Sequence, residues 1–369
     1  MRNVQTEELK DTHPCTLGIL NQYQDLYGFA EDYPVVSLHE GNTPLIPALR
    51  LANCLGVEGL KVYLKYEGLN PTGSFKDRGM TYAVSQAKYD GAETVVCAST
   101  GNTSAACAAY ATRARLKSLV IIPEGKIALG KLSQALMYGA SIIEIAGNFD
   151  QALNIVRMLG ERDKRLAVVN SINPYRILGQ QSGAWEICDA LGQAPDQFFI
   201  PVGNAGNITA YWAGFKRYHD LGKIDQLPVM MGYQAEGAAP IVRGHAVEQP
   251  ETVATAIRIG NPASWQGATD ARDQSGGHID LVTDADILGA YSCLARHEGV
   301  FCEPASAASV AGLMKACAEG RVKPHSTVVC ILTGNGLKDP DNAVLVGTKE
   351  VARVSLPADE SAICEYLGV

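Results

Sequence analysis

Asn70-Pro71-Thr72-Gly73-Ser74-Phe75-Lys76-Asp77-Arg78-Gly79 sets a single lysine among turn-forming residues, directly after an apolar run that closes at Leu69. Pro71 and Gly73 end a strand, Ser74 is a suitable helix N-cap, and the small, apolar Gly79-Met80-Thr81-Tyr82-Ala83-Val84 predicts that a helix follows. Lys76 then lies on a first helical turn, where backbone N–H groups and the positive dipole end disfavour an ammonium. Its pKa is expected to fall, and a lysine that sheds its proton near neutrality forms a Schiff base or acts as a base. A solvated lysine beside Asp77 and Arg78 is the rival reading of the stretch taken alone.

Beyond this stretch the chain alternates. Residues 94–98, 118–122 and 141–145 are strand-like, separated by helical patterns at 103–115, 129–138 and 149–159. Such β-α-β-α order implies a parallel sheet with right-handed crossovers. The pattern resumes with a strand at 166–169, a helix near 177–191, a strand at 197–202, a helix near 208–221 and a strand at 229–234. Helices at 284–297 and 305–318 and a strand at 327–332 follow. The expected class is α/β, two doubly wound domains with mainly parallel sheets. No Pro- or Gly-rich linker divides the chain, so residues 82–165 are expected as a smaller domain inserted into a larger one made of 35–81 and 166–355. Residues 1–34 form an N-terminal arm and 356–369 a C-terminal tail. Ligands of open α/β sheets bind outside the carboxyl ends of strands, which puts the site in the cleft between the domains.

Four loops stand at such ends. Ser99-Thr100-Gly101-Asn102-Thr103-Ser104 offers hydroxyls, an amide and free N–H groups at a helix start, suited to a carboxylate, with a plain capping turn as the alternative. Gly203-Asn204-Ala205-Gly206-Asn207 can form a nest of N–H groups for a phosphate, or simple turn geometry. Thr333-Gly334-Asn335-Gly336-Leu337-Lys338 presents a hydroxyl to a planar ligand, or merely reverses the chain. In Asn170-Ser171-Ile172-Asn173-Pro174-Tyr175-Arg176, the arginine can fork onto a second phosphate or carboxylate, or pair on the surface.

Composition narrows the classes. With 369 residues and 47% hydrophobic content the chain can bury sizeable cores, and 31 basic against 39 acidic residues, net −8, without a basic cluster, argue against nucleic acid. Residues 1–18 are polar and no stretch approaches the roughly 20 apolar residues of a membrane span, so no membrane partner is expected and the location is expected to be cytoplasmic. Ten scattered cysteines without a Cys-x-x-Cys pair read as buried, reduced thiols, and seven histidines without ligand spacing offer no metal site.

Taken in order, the lysine turn, the Ser-Thr-Gly-Asn loop, the glycine nest and the Thr-Gly-Asn-Gly loop resemble the pyridoxal-phosphate enzymes of the tryptophan-synthase β family, fold type II. With Gly41-Asn42-Thr43-Pro44-Leu45, they are similar to its threonine synthase branch over about residues 35–345. The resemblance implies pyridoxal 5'-phosphate as cofactor, held on Lys76 as a Schiff base. Asn102 would bond the 3'-oxygen, Gly203, Asn204, Ala205, Gly206 and Asn207 would hold the phosphate, and Thr333 would meet the ring nitrogen. Ser99, Thr100, Thr103, Ser171, Arg176 and Asn207 would contact a small phosphorylated amino-acid substrate, and a homodimer is the family's assembly. Because Thr333 is a neutral hydroxyl, the ring nitrogen is expected to stay largely unprotonated. A serine or threonine dehydratase, a phosphoserine-using relative such as cysteate synthase, and a nucleotide-binding regulatory module are the rivals.

Overall fold

A computed structural model of the chain describes residues 17–125, 129–350 and 354–369, with the side chains at 129–131, 150, 349 and 350 left aside. The first sixteen residues of the expected arm, with Cys15, and positions 351–353 of the expected large domain lie outside the described residues.

Runs such as Thr94-Val95-Val96-Cys97-Ala98 and Val328-Val329-Cys330-Ile331-Leu332 are almost wholly buried. Continuous apolar strands of this kind belong to parallel sheets covered by helices on both faces. Ten strands form two such sheets: β1 (Leu45–Pro47), β2 (Lys61–Tyr66), β3 (Thr94–Ala98), β4 (Lys117–Pro123), β5 (Ser141–Ile145), β6 (Leu166–Val168), β7 (Gln197–Pro201), β8 (Val229–Ala235), β9 (His278–Val282) and β10 (Thr327–Leu332). The larger sheet runs β1-β2-β10-β7-β8-β9 and the smaller β5-β4-β3-β6. Every pairing is parallel except β1 with β2.

Two expectations change. The strand at 166 pairs with β3, Leu166 opposite Thr94 and Val168 opposite Val96, so the smaller sheet extends past residue 165 before the chain returns to the larger one. The helix expected near 177–191 begins earlier, at Pro174, with Asn173 accepting from the Tyr175 N–H, and is interrupted at Gln181. Part of the arm packs on its own body: Ile19 and Leu20 are fully buried, and Tyr23 meets Trp185 edge-on at 5.1 Å. Of the described cysteines, Cys97, Cys107, Cys188, Cys302 and Cys330 are buried, whereas Cys54 is exposed, and all are free thiols.

Register decides where the loops emerge. Leu332 ends β10 directly opposite Tyr66 at the end of β2, so the lysine stretch and the Thr333 loop leave the sheet side by side. In the smaller sheet Asn170 extends the ladder with its side chain: its Oδ1 accepts from Ala98 N and its Nδ2 donates to Ala98 O, each at 2.9 Å. This ties the Ser99 loop to the loop carrying Ser171 and Arg176.

A buried ion network underpins the lysine stretch. Arg78 donates to both oxygens of Glu67, at 2.6 and 2.8 Å, and to both oxygens of Glu186, at 2.7 Å each. Lys65 adds a 2.7 Å bond to Glu186, and Thr43 donates its hydroxyl to Glu67 at 2.7 Å. Gly41 and Asn42 close the set through their N–H groups, onto Asn70 and Glu186. Two cations thus balance two carboxylates that would each be very costly to bury alone. The Gly41–Leu45 turn is therefore a clamp on the Lys76 loop.

Candidate active site

Lys76 is the first residue of the helix Lys76–Tyr89 and is half-buried, its Nζ 4.0 Å from the centre of the Phe75 ring. The N-cap is Phe75 rather than Ser74; Ser74 instead bridges to Gly334. Phe75 N donates to Thr333 O at 3.0 Å, and Asn335 N to Gly73 O at 2.9 Å, so the lysine turn and the Thr333 loop are stitched by backbone bonds. The Lys76 amine is lowered from 10.5 to about 7, first by desolvation, then by the nearby Arg176 cation, with Glu303 opposing. Burial, more than the helix dipole invoked from sequence, is the cause.

Thr333 is buried, 2.9 Å from Ser306 Oγ and donating to Glu303 Oε1 at 3.1 Å. Asn102, first residue of the helix Asn102–Ala114, directs its Nδ2 at the same carboxylate, 3.3 and 3.2 Å from its two oxygens. Glu303 was not singled out by sequence. It precedes the helix Pro304–Ala318 and reads there as an ordinary helix start. Its closeness to the Thr333 loop shows only in three dimensions, where a Cβ on Gly334 would stand 2.5 Å from Glu303 Oε1.

Arg176 is not on the surface. It is 1% exposed, donates from Nη1 to Val169 O at 3.0 Å, leaves its Nε without a partner, and forms no ion pair with a described carboxylate. Desolvation lowers its pKa from 12.5 to about 10. Two glycines bring it there. A Cβ on Gly179 would lie 2.1 Å from Arg78 O, and one on Gly79 would lie 2.8 Å from Arg176 O and 3.0 Å from its Nε. The helices Lys76–Tyr89 and Pro174–Gln180 therefore cross at backbone distance, which sets the arginine beside the lysine.

In the Gly203–Asn207 turn, Ala205 adopts the left-handed conformation, φ 65°, as N-cap of the helix Gly206–Asp220. This is a strained choice for a residue with a Cβ, and strain of this kind gathers at ligand sites. Gly203 cannot carry a side chain, because a Cβ would stand 2.8 Å from the Ile257 Cα. Asn204 is engaged on both sides, donating to Ser171 Oγ and accepting from Ala263 N at 2.6 Å. Asn207 is buried with both its amide nitrogen and oxygen unpartnered. Orphaned buried polar atoms are rare in native proteins and mark a place where a ligand completes the bonding.

The remaining residues divide. Ser99 accepts from Gly101 N at 3.1 Å and so closes its own turn. Ser171 is held by Asn204 and braces the glycine turn. Thr100 and Thr103 stand half-buried beside Asn102. The structure thus gathers Lys76, Asn102 and Thr333 around Glu303, with Arg176 close to Lys76.

Among the described residues no helix is long and apolar enough to cross a membrane. The pyridoxal-phosphate dependent enzyme family matches residues 36–334. Threonine synthase of Halalkalibacterium halodurans is 60% identical over 350 residues, 95% of this chain and 97% of the relative. The threonine synthase of a Synechocystis strain is 58% identical over 95% of this chain and 91% of the relative, and that of Mycobacterium bovis 55% over 97% and 98%. Among solved structures, threonine deaminase isoform 2 of Solanum lycopersicum superposes with a TM-score of 0.72 at 22% identity, covering 91% of this chain and 96% of that one, a likeness of fold. Full-length identity at this level, on a lysine site built from two parallel sheets, shows that the chain belongs to the pyridoxal-phosphate dependent enzymes and, within them, to the threonine synthases.

Proposed function

We propose that the chain converts O-phospho-L-homoserine and water to L-threonine and phosphate, with Lys76 as its catalytic base. The observation that carries this reading is the pairing of a lysine whose pKa is lowered to about 7 with a buried arginine whose Nε has no hydrogen-bond partner among the described residues. A cleft with an amine of lowered pKa and a buried guanidinium beside it suits a phosphorylated amino acid.

The residues fit pyridoxal 5'-phosphate. Lys76 would carry its aldehyde carbon and Asn102 would meet its 3'-oxygen. The backbone from Gly203 to Asn207, with the unpartnered Asn207 amide, would hold its phosphate, and Thr333 would meet its ring nitrogen. Bound there, the cofactor supplies the electron withdrawal that makes the substrate's α proton removable. The rest falls to the protein. Lys76 Nζ, its pKa lowered toward neutrality by burial, takes the α proton and moves protons at the β and γ carbons. Arg176 holds the phosphate ester through its guanidinium and eases the departure of phosphate from the γ carbon. Thr100 and Thr103, with the N–H groups that open the helix Asn102–Ala114, orient the substrate carboxylate. Ser99 and Ser171 support these contacts through the turns they close. Water then adds at the β carbon.

Phosphate release measured with O-phospho-L-homoserine and with O-phospho-L-serine tests the reading. Equal amounts of threonine and phosphate from the first, and little turnover of the second, are expected; turnover of phosphoserine or of free serine alone would overturn it. A cytoplasmic location, supported by the free thiols, and the homodimer that the family resemblance implies complete the reading, and light scattering on the eluted protein tests the assembly.

A further inference from the structure

We propose that Glu303 is a positioning residue for the reaction, whose carboxylate orients Asn102 and Thr333; the proposal rests on the cofactor reading above. Glu303 stands before the first turn of the helix Pro304–Ala318 and its backbone is pinned, Glu303 N donating to Gly334 O at 3.0 Å. Its side chain is buried, where a carboxylate must be met by donors. Both donors named here come from the residues expected to face the cofactor ring. Asn102 reaches it from the smaller sheet's side, at 3.2 and 3.3 Å, and Thr333 from the end of β10, at 3.1 Å.

An ionised carboxylate only accepts. It therefore dictates which atom of Asn102 turns toward it: Nδ2 faces Glu303 and Oδ1 faces away, because the opposite choice would set oxygen against oxygen. It also accepts the Thr333 hydroxyl proton, with Ser306 Oγ 2.9 Å away on the other side; with one proton to give, Thr333 serves either Glu303 or an unprotonated ring nitrogen, so the carboxylate competes with the cofactor for it. A single charge thus aligns two side chains that arise from different sheets. Its field also reaches Lys76, favouring the ammonium against desolvation and Arg176.

The variants separate charge from shape. Glu303→Gln keeps the volume and can still accept from Thr333, but its amide nitrogen faces Asn102, which must turn over to present Oδ1. Glu303→Ala releases both partners. The test uses the full-length holoenzymes, with melting curves to show that each variant is folded. Glu303→Gln is expected to retain the cofactor with a displaced visible absorbance maximum in the absence of substrate. Its kcat/KM is expected to fall about ten- to hundredfold, the size of one lost charge-assisted bond. Its acid limb should move to lower pH, because removing the carboxylate lowers the Lys76 pKa further. Glu303→Ala should show the same limb shift and lose cofactor more readily on dialysis. A Glu303→Gln holoenzyme with the parent's absorbance maximum and acid limb would overturn the proposal. A parent protein that takes up no cofactor at all would overturn the reading beneath it as well, a distinct result.

Discussion

Arg176→Met isolates one of the two costly cations in the site. The guanidinium is 1% exposed and its pKa falls from 12.5 to about 10. At about 1.4 kcal/mol per tenfold change in proton affinity, the charged form is about 3 kcal/mol worse off in the fold than in water. The sign follows from the direction: the folded pKa lies below the unfolded one, so the cost is present at every pH under about 10 and is relieved only as the pH rises beyond it. Methionine removes that cost and fills most of the volume. It forfeits the 3.0 Å bond to Val169 O, whose carbonyl then lacks that donor at about 1–3 kcal/mol. The net is a protein equal in stability or up to about 2 kcal/mol more stable, hence a melting temperature unchanged or a few degrees higher. Activity should move the other way: kcat/KM for O-phospho-L-homoserine falls about ten- to hundredfold, while slow reactions with unphosphorylated serine or threonine change much less. The acid limb should shift to higher pH, because Arg176 helps to lower the Lys76 amine. The assay is phosphate release across pH alongside a melting curve. A variant that melts several degrees lower and loses activity equally on both kinds of substrate would refute this, and Arg176 would then be structural.

Lys76→Ala should abolish turnover and the visible absorbance that borohydride removes from the parent; a variant that keeps a borohydride-sensitive chromophore would exclude Lys76 as the attachment point. Gly203→Ala drives a Cβ to 2.8 Å from the Ile257 Cα, so the turn must shift, and equilibrium dialysis should show weaker cofactor binding with the fold retained; unchanged binding would deny the turn its role. Glu186→Ala leaves Arg78 and Lys65 facing Glu67 alone and should cost about 3–5 kcal/mol in urea unfolding; a loss under about 1 kcal/mol would mean that the network carries little. In the parent, Arg78 and Lys65 overcome desolvation and hold the Glu186 carboxyl at about 2. Because that is below its unfolded value of 4.5, the stabilisation is complete above pH 4.5 and is lost as the pH falls toward about 2.

Several features were legible because their signals are local. Pro71, Gly73 and the apolar run before them mark the turn that carries Lys76, and β-branched runs between helical patterns mark parallel strands. The glycine-rich loops were placed correctly at strand ends because turn chemistry and strand ends are both written within a few residues. Helix boundaries near 174–181 and the short edge strands β1 and β9 were missed, since Leu45–Pro47 is three residues closed by a proline and His278–Val282 is brief and carries His278 and Asp280.

The α/β alternation, the strand-end position of Lys76 and the chemical character of each loop follow from neighbours along the chain. Only the tertiary structure decided which loops meet. The Asn102–Glu303 bond joins residues 201 positions apart, and the assignment of 166–168 to the smaller sheet depends on which strand accepts its hydrogen bonds. The burial of Arg176 depends on two glycines letting helix backbones touch. Burial is the physical reason for the difference: a carboxylate or guanidinium has the same composition in a loop or in a core, and only removal from water turns it into a perturbed, oriented group.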